Sequence, residues 1–298
     1  MPSRRTLRNL GLTLLLVGVT AIWGWTFVVV DRAIKAYGVL GFLAVRFTIA
    51  TLVMLGLSWR RLTMRTLRTG AAIGVVLAVA YFFQTLGLRY TTPTNCGLVT
   101  GLFILFVPLF DRVLYGVRIG RLLWLAVAAS LLGMLLLVGE SPKALRIGDG
   151  LTAVAAACFG LHISLLSRHS RGHRPLALAT FQMMAIAVLA GAAWPAFEQV
   201  ALPSTDVWIA LLITGVLASA LAFYIQTLVQ SRLPALRAGI IITAEPMFAA
   251  LFGYLLAGDR LTARQVCGAV LLMAAILTSE IVPAWQKARG SRMGQVER

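Results

Sequence analysis

Two glutamines, Gln84 and Gln226, lie deep in apolar stretches, and each stands in the same local setting. Around the first the chain reads Tyr81-Phe82-Phe83-Gln84-Thr85-Leu86; around the second it reads Phe223-Tyr224-Ile225-Gln226-Thr227-Leu228. Gln, Thr and Leu recur in register, and the aromatic pairs Tyr81/Phe223 and Phe82/Tyr224 keep the same offset, as do Gly97 and Gly239. Both copies then reach a proline, Pro108 and Pro246. Echoes in register over this length mark an internal repeat. The chemistry open to such residues is recognition rather than bond-making: an amide donates and accepts, and an aromatic face covers apolar cargo.

Helical spacing puts Tyr81, Gln84, Thr85 and Leu88 on one face, and Phe223, Gln226, Thr227 and Gln230 on another. A glutamine there either glues two helices by a hydrogen bond or lines a cavity. Because both copies pair the amide with an aromatic ring, cavity lining is the reading adopted. Other residues carry similar alternatives. Trp23 is packed bulk or an aromatic wall. Arg46 costs about 2.5–3.5 kcal/mol within a span and finds a partner or a wet cavity. Glu245 is the one carboxylate deep in a span, a transport or coupling group if it is not simply neutral. His162, the one histidine in a span, is a satisfied hydrogen-bonder or a lining residue. With Asn95, Thr100 and Phe103 ahead of Pro108, and Tyr224 and Thr243 from the second copy, these give the candidate binding set: Trp23, Tyr81, Gln84, Asn95, Thr100, Phe103, His162, Tyr224, Gln226, Thr243 and Glu245. Pro108 and Pro246 are the candidate gating positions, since a proline within a span frees carbonyls and kinks the helix.

The elements that must position these residues are membrane helices. The 298-residue chain is 59% hydrophobic and 12% charged, against roughly 25% charged in soluble domains, and its mean hydropathy is +0.88. Apolar stretches long enough to cross a bilayer, about 20 residues each, fall near 10–30, 38–58, 70–89, 94–115, 121–139, 148–167, 175–197, 206–230, 235–257 and 262–282. They are continuously apolar rather than alternating, so they read as helices and not as barrel strands. The first follows three arginines but is too long for a signal peptide and lacks a small-residue cleavage site. The reading is an all-α integral membrane protein of ten transmembrane helices, with repeats at 1–140 and 141–283 and a charged, frayed tail at 284–298.

The net charge of +17 does not point to nucleic acid. Arg4, Arg5, Arg8, the Arg60–Arg68 group, Arg112–Arg121, Arg168–Arg174, Arg232, Arg237 and the basic C-terminal residues all fall on one side of a ten-span topology. Only Arg32, Lys35, Arg89, Lys143, Arg146, Arg260 and Arg264 fall on the other. The positive-inside rule therefore sets both termini in the cytoplasm, with basic side chains meeting anionic lipid. Cys96, Cys158 and Cys267 show no disulfide or metal spacing, and the chain calls for no cofactor.

Five helices per repeat is an odd number, so the second half enters the membrane upside-down relative to the first. Such inverted repeats recur in alternating-access carriers, with sites near the midplane. The chain resembles the ten-helix, EamA-type exporters of the drug/metabolite transporter superfamily. The resemblance rests on Trp23-Gly24, Arg46, the region around Pro108, and Pro246-Met247-Phe248 through Gly258-Asp259-Arg260-Leu261, followed by Gln265 and Gly268. Gly258-Asp259 stands where the family has glycine-glutamate, and the first half has Gly120-Arg121 at the corresponding place. The resemblance implies a bacterial inner-membrane exporter of small metabolites with a central cavity, most like exporters of aromatic and other amino acids. A drug or a nucleotide-sugar is the alternative cargo, and a channel the alternative class. No phosphate loop, HExxH or GxSxG motif supports ATP hydrolysis or an enzyme. The partners expected are a small molecule and lipid, with a monomer sufficient.

Overall fold

The computed structural model describes residues 4–137, 147–257 and 262–296, and among them there is helix but no strand. The elements are α1 (Arg4–Tyr37), α2 (Val39–Ser58), α3 (Met64–Tyr90), α4 (Pro93–Gly101), α5 (Phe103–Tyr115), α6 (Arg121–Leu137), α7 (Ile147–His169) and α8 (Pro175–Phe197). They continue with α9 (Thr205–Leu212), a π-helical stretch (Ile213–Leu221), α10 (Ala222–Gln230), α11 (Ala235–Ile242), α12 (Glu245–Ala257) and α13 (Ala263–Val296). Among the described residues, seven helical segments are long and apolar enough to cross a membrane, and Arg121–Leu137 and Ala263–Ser279 are shorter apolar helices. Large apolar side chains such as Leu52, Leu57, Leu125 and Val270 point outward. A helix satisfies its own backbone, so these faces can meet hydrocarbon.

Local chemistry sets the boundaries. Thr63 accepts from the Thr66 N–H ahead of α3, and Thr92 accepts from the Asn95 N–H with Pro93 opening α4, the side-chain caps that helix starts favour. Gly38 has φ 93° between α1 and α2, a backbone state that only glycine adopts readily. The N-terminus of α2 is capped from a distant element. The Glu198 carboxylate, just past α8, accepts from the Val39, Leu40 and Gly41 N–H groups at 2.9, 3.0 and 3.1 Å. An anion at the positive end of a helix is stabilising, and this one ties the second half of the chain to the first.

Each apolar stretch read from the sequence is helical over its described residues, but three are interrupted. One break lies at Leu102, where Leu102 and Leu105 donate to carbonyls three residues back. A second lies at Thr243–Ala244, where Ala244 donates to Ile241 in the same tightened way. The third is the π-helical stretch. The two prolines do not fall at these breaks. Pro108 sits inside continuous α5, six residues past the Leu102 break, and Pro246 occupies the first turn of α12. First-turn proline is tolerated because that N–H has no helical partner anyway. The matched features of the two halves are the breaks, at Leu102 and Ala244, which keep the register of the Gln84/Gln226 echo; the prolines do not. Residues 284–298, expected to be a frayed tail, continue α13 as far as Val296.

The helices are laid closely together where small residues permit it. The main pairings are α2 with α8, α3 with α7 and α8, α6 with α13, and α1 with α12. In the α6–α13 seam, Gly133 and Gly268 approach each other's carbonyls so closely that a Cβ on either would stand 2.9 or 2.6 Å from the facing oxygen. Such contact gains dispersion and is the usual basis of helix association in lipid. Gly133→Leu should therefore lower stability by about 1–3 kcal/mol through overpacking. Gly56→Leu, at a glycine with open space around it, should leave stability nearly unchanged. Thermal melting of the detergent-purified proteins checks both.

Candidate functional site

The polar groups that the apolar helices carry inward meet in one cavity between the halves. Its volume is about 70 Å³, below the roughly 300–1,000 Å³ of drug-sized small-molecule sites. The wall takes Trp23, Thr26 and Phe27 from α1, Arg46 from α2, and Tyr81, Gln84 and Thr85 from α3. The flanks of the two breaks add Thr100 and Phe103, then Ile242 and Glu245; Phe159 and His162 come from α7, and Phe223 and Gln226 from α10. Both copies of the echo thus point at the same space: Tyr81 faces Phe223 with ring centroids 5.9 Å apart, and each copy contributes its glutamine.

Rings form the cavity's apolar surface. Tyr81 meets Phe47 at 4.9 Å and Phe159 at 5.5 Å, and Trp23 meets Phe223 at 5.4 Å. Tilted and edge-on arrangements at these distances are the favoured ones. The π-helical stretch anchors two wall residues. The Ala218 carbonyl accepts from Trp23 Nε1 at 2.8 Å, and Ser219 Oγ accepts from Arg46 Nε at 2.8 Å. A π-turn widens the helix and redirects its carbonyls, and such turns concentrate at functional sites. The Arg46 guanidinium lies 5.1 Å from the Phe47 ring centre and 5.2 Å from that of Tyr81, cation–π distances.

The amides behave differently from one another. Gln84 Nε2 donates to Thr100 Oγ1 at 3.0 Å, linking α3 to α4. Gln226 makes no hydrogen bond to a described residue, and its Oε1 is buried and unpartnered. Gln182, which the sequence reading did not single out, is fully buried. Its Oε1 accepts from His162 Nε2 at 2.8 Å, and its Nε2 donates to Leu178 O and Thr227 Oγ1. That bond puts a proton on His162 Nε2 and ties α7 to α8 and α10. His162 is therefore both a wall residue and a satisfied hydrogen-bonder. Gln230 is structural as well, donating to Ile163 O and Ser167 Oγ on α7.

Eight of the candidate residues border the cavity: Trp23, Tyr81, Gln84, Thr100, Phe103, His162, Gln226 and Glu245. Three do not. Asn95 lies in the first turn of α4, Tyr224 packs against the cluster around Phe47 and Met183, and Thr243 is buried with its hydroxyl turned back to Ile240 O. The lining residues the sequence did not propose are chiefly Phe27, Phe159 and Ile242. Their types are those of any membrane core, so no sequence signal separates them from lipid-facing neighbours. Among the described residues no three His, Cys, Asp or Glu side chains gather as metal ligands would.

The helices long and apolar enough to cross a membrane thus surround a cavity lined by aromatic rings and a few polar side chains. The EamA-like transporter family model matches the chain twice, over residues 10–139 and 146–279, and the chain belongs to that family within the drug/metabolite transporter superfamily. An uncharacterized transporter of Archaeoglobus fulgidus is 33% identical over 277 residues, covering 92% of this chain and 86% of the relative. The uncharacterized transporter YyaM of Bacillus subtilis is 24% identical, covering 92% and 94%. A solved crystal structure shares the fold at a TM-score of 0.77 and 20% identity, covering 91% of this chain and 97% of its own.

The two kinds of glutamine predict opposite phenotypes. Gln182→Leu strands His162 Nε2 and should cost about 1–3 kcal/mol of stability, the penalty of an unsatisfied buried donor. Gln226→Leu removes an amide with no partner among the described residues and should leave stability unchanged or slightly raised. Melting temperatures in detergent distinguish the two.

Proposed function

We propose that this chain is a secondary exporter of small metabolites, aromatic and other amino acids foremost, working by alternating access across a bacterial inner membrane with both termini cytoplasmic. The observation that carries the proposal is the convergence of the two echoes on one cavity: Tyr81 with Phe223, and Gln84 with Gln226. A repeat whose matching residues share one site suits a carrier that exposes that site to each side in turn. The double match to the family model supports the duplication. So does helix pairing. Exchanging the halves carries α2–α8 and α6–α13 onto themselves, α3–α7 onto α1–α10, and α5–α7 onto α12–α1, and all of these pairs are in contact. Ten spans then form two inverted five-helix repeats, counting each interrupted stretch once. Aromatic rings with uncharged amides fit cargo that is part apolar and part polar.

Transport in proteoliposomes tests this. Gln84→Ala and Gln226→Ala should each lower amino-acid flux about fivefold, the worth of one neutral hydrogen bond of about 1 kcal/mol, with the proteins still folded. Wild-type flux in both variants removes the cavity from the transport path. Glu245 is the group through which coupling to protons would run. A flux that follows an imposed pH gradient in the wild type and ignores it in Glu245→Gln assigns that role; gradient-independent wild-type flux makes the chain a facilitator.

A further inference from the structure

The cavity holds one strong cation and one carboxyl group, and they do not pair. Arg46 is 4% exposed. Its Nε donates to Ser219, and Tyr81 is its other polar neighbour. A guanidinium has five N–H donors, so most of the fork stays unspent on the cavity side. Glu245 borders the same cavity, at the start of α12. Neither residue forms an ion pair with the other or with any other described residue.

That separation is informative. A buried charge without a partner is costly, and breaking a buried pair is strongly destabilising. If Arg46 and Glu245 served only to neutralise each other, direct pairing would be the low-energy arrangement. The wall instead holds them apart, with Arg46 fixed by Ser219 and two rings and Glu245 set just past the Thr243–Ala244 break. A molecule carrying its own carboxylate and its own ammonium would compensate both at once. A guanidinium fork also matches a carboxylate's two oxygens.

Resting on the amino-acid reading of the cargo, we propose that Arg46 and Glu245 read the two ends of a zwitterion: the cargo's α-carboxylate lies on Arg46 and its α-ammonium on Glu245, with its side chain among Tyr81, Phe159 and Phe223. The site then selects free α-amino acids against analogues lacking either charge.

Competition against labelled phenylalanine uptake in proteoliposomes tests this, using unlabelled phenylalanine, phenylalanine amide and N-acetylphenylalanine. With wild-type protein, phenylalanine should compete at least about tenfold better than either analogue. Arg46→Gln should lose discrimination against the amide and keep that against the N-acetyl compound; Glu245→Gln should do the reverse. Equal competition by all three compounds on the wild type overturns the zwitterion assignment while leaving amino-acid transport standing. Loss of both discriminations together in each variant also overturns it, because that reports general damage to the cavity. Absence of any phenylalanine uptake, with flux of another metabolite, overturns the amino-acid reading and this assignment with it. The wild-type arm needs no variant, so a misfolded Arg46→Gln leaves the test decisive.

Discussion

A polar side chain at membrane depth has two stable destinations: a partner on a neighbouring helix, or a cavity that water or cargo can enter. That constraint sorts the polar residues of this chain. Thr180 and Ser58 meet across α8 and α2, Gln230 meets Ser167 and Ile163, and Gln182 is spent on His162 and Thr227. These bonds leave the lipid-facing surface apolar and staple the two halves together. Arg46, Gln226 and Glu245 lie on the wall of one cavity, and Gln226 Oε1 is unpartnered there. Ser130 Oγ, Trp194 Nε1 and Gln230 Oε1 are buried away from it without a partner among the described residues.

The backbone obeys the same logic. Straight helices could not deliver these groups to one point, because each helix offers only a stripe. The π-helical stretch and the breaks at Leu102 and Thr243–Ala244 rotate the helical faces on their C-terminal sides. Thr100 and Phe103 flank one break, and Ile242 and Glu245 flank the other, in the same register, and all four reach the cavity. Irregular backbone at membrane depth is tolerated where it is buried in protein or lines a water-filled space, and here Ala218, Ser219, Thr243 and Ala244 are buried in protein. Because Ser219 lies in the π-stretch, that local widening is also what holds Arg46 in place.

Much of this was legible in the sequence because it is periodic. Apolar runs near 20 residues mark helices whatever the tertiary context, and an echo in register survives as Gln84 facing the space that Gln226 faces. What stayed hidden was rotational. Thr243 and Asn95 have suitable chemistry, but helical spacing counted along an unbroken span cannot foresee a break a few residues away, which turns Thr243 back to Ile240. The prolines do not mark the breaks: a proline reports only that its own N–H is missing, and α12 places Pro246 in its first turn, where none is needed. Phe159 carries no sequence signal at all, since phenylalanine in a membrane helix is as ordinary facing lipid as facing a cavity.

For the exchange between outward- and inward-open forms that we propose, some contacts have to be kept while others are traded. The α6–α13 seam is a candidate pivot. Gly133 and Gly268 approach each other's carbonyls closely, and the α6–α13 pair maps onto itself when the halves are exchanged, so both forms can retain it. The α5–α7 and α12–α1 contacts cannot both be kept, because exchange converts each into the other. Asp111 accepts from Ser164 between α5 and α7, and Arg168 lies over the Tyr115 ring at the same end, 5.1 Å from its centre. In the register of the Gln84/Gln226 echo, the place of Asp111 on α12 is taken by Gly253. A carrier built from two related halves need not have two equal gates. Here the side chains make the α5–α7 gate the polar one, so charge and hydrogen bonding can bias the two forms unequally even though the backbone pairing is close to symmetric.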